Sequence, residues 1–182
     1  MRFETKRLIL RNFRDGDIKD VVEGINNLDV SRWLLVVPYP YTKKDASWWI
    51  SESRKKVNDK TGYSFAVELK SEKKVIGGMS LKKVDKFQGI ATLGYWLNEN
   101  YWRMGLGSEA LDVVLKFAFN KLKLRRVEAE VFVGNSSSGK LLEKFGAKKE
   151  GLKRKAARIK ADGKIKDEII YGLLKEEWRQ LK

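Results

Sequence analysis

The amino-acid sequence predicts one α+β (mixed α/β) domain over residues 1–182, with a central, mostly antiparallel sheet flanked by helices. Three observations lead there. Between residues 63 and 97, three strand-like runs follow one another through short polar connections, as in an antiparallel meander. Stretches with helical apolar spacing lie on both sides of it. A hydrophobic fraction of 42%, with 6 Trp, 6 Tyr and 8 Phe, suffices for one good core, and no repeat, linker or low-complexity segment divides the chain.

The elements follow in order. Arg7 to Phe13 sets Leu8, Leu10 and Phe13 against charge and reads as a strand. Asp15 to Leu28 has Ile18, Val21, Val22 and Ile25 at helical spacing, with Asp15 or Asp17 as its cap. Val37 to Tyr41 holds both prolines and reads as a loop or turn. Thr42 caps a second helix, Lys43 to about Asp59, with Asp45 at the capping-box position. Strands follow at Tyr63–Leu69, Val75–Val84 and Ile90–Leu97. Asn98 to Met104 is a loop, Gly107 to Lys121 a helix, Arg125 to Val133 a strand and Ser136 to Lys144 a short helix. Ala147–Ala157 and Lys164–Leu173 form a last hairpin around Ala161-Asp162-Gly163, giving the order βααβββαβαββ.

Composition excludes several chemistries. Without Cys there is no disulfide, no thiolate nucleophile and no Cys-ligated metal; without His, a Ser-His-Asp triad is impossible and the commonest metal ligand is missing, so no metal is expected. A general base must come from Asp, Glu, Lys, Tyr or water. The first residues mix charge with apolar side chains, unlike a secretory signal, and no run approaches the roughly 20 apolar residues of a membrane span. A cytoplasmic location without membrane contact is the expectation. The net charge of +15 suits an anionic ligand, RNA or a membrane surface, or is simply a solvated Lys-rich surface.

Two glycine motifs carry the functional signal. Gly134-Asn-Ser-Ser-Ser-Gly139-Lys140 resembles a phosphate loop, but Leu141 stands where a hydroxyl would bind Mg²⁺. Gly105-Leu-Gly107-Ser-Glu-Ala110 matches a dinucleotide fingerprint, but Leu97 and Gly105 are too far apart and the strands upstream are not βαβ. A third reading joins them. A strand, a Gly-x-Gly loop and a helix beginning there gather backbone N–H groups and the positive end of the helix dipole around one point, which suits a pyrophosphate. Asn135, after the next strand, can bond to an amide, so the ligand implied is long.

The stretches Tyr95 to Phe119 (YWLNENYWRMGLGSEALDVVLKFAF) and Arg125 to Gly151 (RRVEAEVFVGNSSSGKLLEKFGAKKEG) closely resemble the GNAT acetyltransferases, and among them the ribosomal-protein N-terminal (RimJ/RimL) branch. RLILR, VIGGMSL and DEIIYGLLKEEW extend the resemblance over nearly the whole chain. It implies a sheet splayed between the fourth and fifth predicted strands, and acetyl transfer from acetyl-CoA to an amine. The pyrophosphate loop falls on Trp102, Arg103, Met104, Gly105, Leu106, Gly107 and Ser108, with Trp102 where the family usually has Arg or Gln. Pantetheine would bond to backbone near Trp96 and Leu97, Asn135 would hold its amide, and Ser138 would lie near the sulfur.

Several side chains become candidates. Glu130 is the first choice for base, against the reading of a solvated or ion-paired strand Glu; Glu128 shares its face. Ser138 is the candidate to protonate the leaving thiolate, with a helix cap or a cofactor contact as the alternative. Trp33, Tyr39, Tyr41, Trp48 and Trp49 fall where this fold builds its acceptor pocket, with packing as the alternative. Lys140 or Arg103 could meet phosphates. Residues 140–166 hold 11 Lys and Arg against 3 Asp and Glu, a solvated hairpin or an RNA-facing surface. The acceptor is a protein N-terminus, ribosomal or otherwise, or a small amine such as a polyamine; the rival reading is a silent RNA- or ribosome-binding module. A monomer or a homodimer fits equally.

Overall fold

The computed structural model describes residues 1–180. Eight strands form one sheet in the order β1-β2-β3-β4-β5-β6-β8-β7. They are β1 (Arg2–Glu4), β2 (Leu8–Arg11), β3 (Tyr63–Leu69), β4 (Lys74–Asp85), β5 (Ile90–Leu97), β6 (Arg126–Phe132), β7 (Lys148–Arg158) and β8 (Ile165–Leu174). The helices are α1 (Ile18–Ile25), α2 (Leu28–Ser31), α3 (Lys43–Asn58), α4 (Leu106–Lys116) and α5 (Ser136–Lys144). α4 runs on as a π turn, Phe117–Lys121.

Every neighbouring pair is antiparallel except β5–β6. That parallel ladder has only three pairs, Ile90–Arg126, Ala91–Val127 and Thr92–Glu128, after which the strands separate. β1 was not expected from sequence, so the predicted fourth and fifth strands are β5 and β6.

The two faces of the sheet carry separate cores. Leu93, Val127, Ala129 and Val131 pack with Leu111 and Leu115 of α4 and Leu142 of α5. On the other face Phe13, Val21, Ile25, Ala46 and Ile50 bury α1 and α3. Thr42 caps α3 as expected: its hydroxyl accepts from Asp45 N at 3.3 Å, and Asp45 accepts from Thr42 N at 2.9 Å.

The expected helix from Asp15 to Leu28 is broken into a 3₁₀ turn (Asp15–Asp17), α1 and α2. Asp17 does not cap α1 with its side chain. Its carboxylate instead takes two 2.8 Å bonds from Arg11, itself 2.7 Å from Glu68, in a buried charged cluster. Burying that carboxylate is tolerable because its charge and lone pairs are matched.

Candidate active site at the diverging strands

The fold places the Gly-x-Gly loop at the open end of the β5–β6 gap. Gly105 caps α4 at φ +75°, a left-handed conformation that costs glycine little. No side chain caps this helix, so its first N–H groups are left to a ligand. Gly107 is different. It has no left-handed φ, and a Cβ there would meet Leu141 at an ordinary 3.7 Å. Nothing inside the fold requires glycine at 107, whereas the close approach of a diphosphate would. The residues present therefore fit the phosphates of coenzyme A.

The loop is pinned from behind. Arg7 Nη1 donates to Met104 O at 2.9 Å, and Arg7 Nε and N both donate to Glu109, at 2.6 and 2.9 Å. Burial alone would raise the Glu109 carboxyl, but a hydrogen bond from the Thr5 hydroxyl, then those from Arg7, hold it below its ordinary range. Trp102 folds back and donates from its indole to Leu97 O at 2.7 Å. Arg103, at φ +61°, and Lys140 are exposed. Lys144 Nζ, 3.4 Å from Ser108 Oγ, and Arg7 are the cations the fold brings to this mouth; sequence reasoning missed their placement because no local pattern links them to the loop.

Below the mouth, Tyr95 reaches across the gap on the α4/α5 face. Its hydroxyl is 2.6 Å from Ser138 Oγ, and burial pushes it up to about 12 despite that bond. Asn135 Oδ1 accepts from Ser138 N at 3.3 Å, capping α5. Trp96 turns the other way: its ring lies 2.7 Å from where a Cβ on Gly78 would be, which explains one glycine of VIGGMSL. Only its backbone faces the gap.

On the α1/α3 face Glu128 and Glu130 lie together, each tied to its own cation. Arg126 Nε donates to Glu128 at 2.7 Å while also holding Glu150, and Lys153 Nζ donates to Glu130 at 2.7 Å. Glu168 of β8 joins them, paired in register with Phe132 and only 5% exposed. Burial first, then the Glu130 charge, raises its carboxyl above the usual 4.5, against a smaller pull from Lys153. Sequence reasoning passed over Glu168, because its facing depends on the β6–β8 register, a long-range pairing.

The aromatic candidates scatter. Trp33 packs on Phe132 and Ile159, with Lys166 Nζ 3.9 Å from its ring centroid. Tyr41 is buried in the α1/α3 core, and burial raises its phenol strongly. Trp49 stacks edge-on against Phe13 at 4.6 Å; Tyr39 and Trp48 are exposed. Among the described residues there is no cluster of three or more His, Cys, Asp or Glu that could hold a metal. No helix among them is long and apolar enough to cross a membrane.

Residues 7–148 match the acetyltransferase (GNAT) domain. An uncharacterized N-acetyltransferase, p20, of Bacillus licheniformis is 30% identical over 181 residues, covering 96% of each chain. The [ribosomal protein uS5]-alanine N-acetyltransferase of Escherichia coli is 25% identical, over 98% of this chain and 93% of that one. Among solved structures, one described as a putative ribosomal-protein-serine acetyltransferase from Vibrio cholerae superposes with a TM-score of 0.79, at 25% identity, over 96% of this chain and 97% of that one. The split sheet, the uncapped α4 mouth and these likenesses have one explanation: the chain belongs to the GNAT acetyltransferase family, whose members use acetyl-CoA as acetyl donor.

Proposed function

We propose that this acetyltransferase acetylates a protein N-terminus of the ribosomal-protein type by direct attack in a ternary complex. The observation that carries the reading is the acidic cluster of Glu128, Glu130 and Glu168 on one face of the gap. An ammonium group would be drawn there and could lose a proton there. The likeness to the uS5-alanine enzyme supports a peptide over a free small amine.

Acetyl-CoA supplies the acetyl group as an activated thioester. The α4 mouth would hold its phosphates through Leu106, Gly107 and Ser108 N–H, with Arg7 and Lys144 adding charge. Backbone near Trp96 and Leu97, with Asn135, would align the arm. A β5 backbone N–H would stabilise developing negative charge on the acetyl oxygen. Glu130 would take the amine's proton, displacing Lys153 as it does so, and the Tyr95–Ser138 hydroxyl pair would return one to the sulfur. Trp33 and the exposed Tyr39 would border the acceptor.

A panel of N-terminal peptides, polyamines and amino acids, assayed by free-thiol release, tests the reading. Peptides with Ala or Ser first should give kcat/KM at least about tenfold above any polyamine, the effect of roughly 1.4 kcal/mol of extra transition-state binding. Polyamines acetylated faster than every peptide would overturn it.

A further inference from the structure

We propose that Lys82 is a modification site: when no acceptor is present, its side-chain amine takes the acetyl group of acetyl-CoA held in the β5–β6 gap. The inference rests on the reading of the gap given above.

The geometry starts from the sheet register. Lys82 of β4 pairs with Thr92 of β5, the last β5 residue laddered to β6. Its side chain shares the α1/α3 face with Thr92, Gly94, Glu128 and Glu130, since paired residues in a sheet point the same way. The residue as a whole is exposed, and the end of its side chain crosses onto β5. Lys82 Nζ and Cε lie 2.8 and 2.9 Å from the position a Cβ on Gly94 would take. Gly94 is the second β5 residue beyond the ladder, at the point where the strands open. The absence of a side chain there seats a primary amine over the vertex of the gap. Lys83, the next residue, sits in the bulge that follows, at φ +48°, and is exposed.

The surroundings shift that amine towards its neutral form. Burial first, and the Lys56 charge of α3 second, favour its neutral form; Glu130 across the gap opposes them, and Lys83 adds a smaller push towards neutrality. A neutral amine is the nucleophile that acetyl transfer requires. The nitrogen lone pair of Lys82 would form the new N–C bond and the C–S bond would break. The ammonium proton left on nitrogen would pass to the thiolate. The products are Nε-acetyl-Lys82 and free coenzyme A, with no other reactant. The acetylated side chain would sit on the acceptor face, its charge opposite Glu130 erased.

The test is incubation of purified protein with acetyl-CoA and no acceptor, followed by peptide mass spectrometry with fragment assignment. Coenzyme A binding is measured separately by calorimetry. Lys82 should gain acetyl at least about tenfold faster than Lys83, which reports random chemical acetylation. Lys82→Arg should abolish the fast-modified peptide while still binding coenzyme A. Gly94→Ala, which displaces the amine from its seat, should slow the modification several-fold with cofactor affinity kept. Coenzyme A binding with Lys82 and Lys83 modified at equal rates overturns the proposal and leaves the reading of the gap intact. Failure of coenzyme A to bind overturns both.

Discussion

The mouth of α4 and the α1/α3 face of the gap border the same opening and are built from different material. The mouth is backbone: a left-handed Gly105, free N–H groups and a helix dipole, braced by Arg7 and Glu109. The opposite face is side chains, where Glu128 is held by Arg126, Glu130 by Lys153, and a buried Glu168 lies between strands. A backbone site needs a particular residue type at a particular step of the chain, and leaves a motif. A side-chain site needs partners from distant strands, and leaves none. The contrast fits an enzyme with one fixed donor and an acceptor that varies between relatives.

The strongest way to break the contrast is to charge the backbone half. Gly107→Asp places a carboxylate in the first turn of α4, where it interacts favourably with the helix dipole, so the free protein should melt at the same temperature or slightly higher. The same carboxylate would repel a diphosphate and displace its hydrogen bonds. Coenzyme A affinity should fall by about a hundredfold or more, the loss of one to two charge-assisted bonds. Calorimetry and a melt of the unliganded protein read the two effects separately. Undiminished affinity would show that the phosphates sit elsewhere.

A gentler change loosens the brace. Arg7 braces the loop through Met104 O and the Glu109 carboxylate, with Nη2 beside Gly105. Arg7→Gln should let the loop move and raise KM for acetyl-CoA about tenfold, a cost of roughly 1.4 kcal/mol, with kcat changed less than about twofold. Steady-state kinetics at saturating acceptor decide it. A drop in kcat with KM unmoved would place Arg7 in the chemistry instead.

The same division governs what could be read from the sequence. Thr42 with Asp45, the helix after Asn135 and the Gly105–Gly107 loop are local signals, and each marks its element. Asp17 misleads, because a carboxylate before a helix usually caps it and this one is claimed by Arg11 from the neighbouring strand. β1 is three residues long and exists by pairing with β2, so no periodicity announces it. The shared facing of Glu128 and Glu130 follows from two-residue spacing. Their cations, Arg126 and Lys153, follow only from the packed hairpin.

The side-chain half can be sharpened through Glu168. Its folded pKa is raised, so the native state binds this proton more tightly than the unfolded chain does. Its contribution to stability is therefore complete below the unfolded value, near 4.5, and is lost as pH rises through the folded value. Above both, the wild-type protein carries a poorly solvated charge that Glu168→Gln lacks. The Gln variant should melt a few degrees higher at pH 7, each 1 kcal/mol being worth roughly 2–4 °C at this size, and the gap should close towards pH 4. If Glu168 also helps to receive the acceptor's proton, the stabler variant should turn over more slowly near neutral pH. A pH-independent difference in melting temperature would mean that the carboxylate is well solvated, and would remove Glu168 from the acidic face.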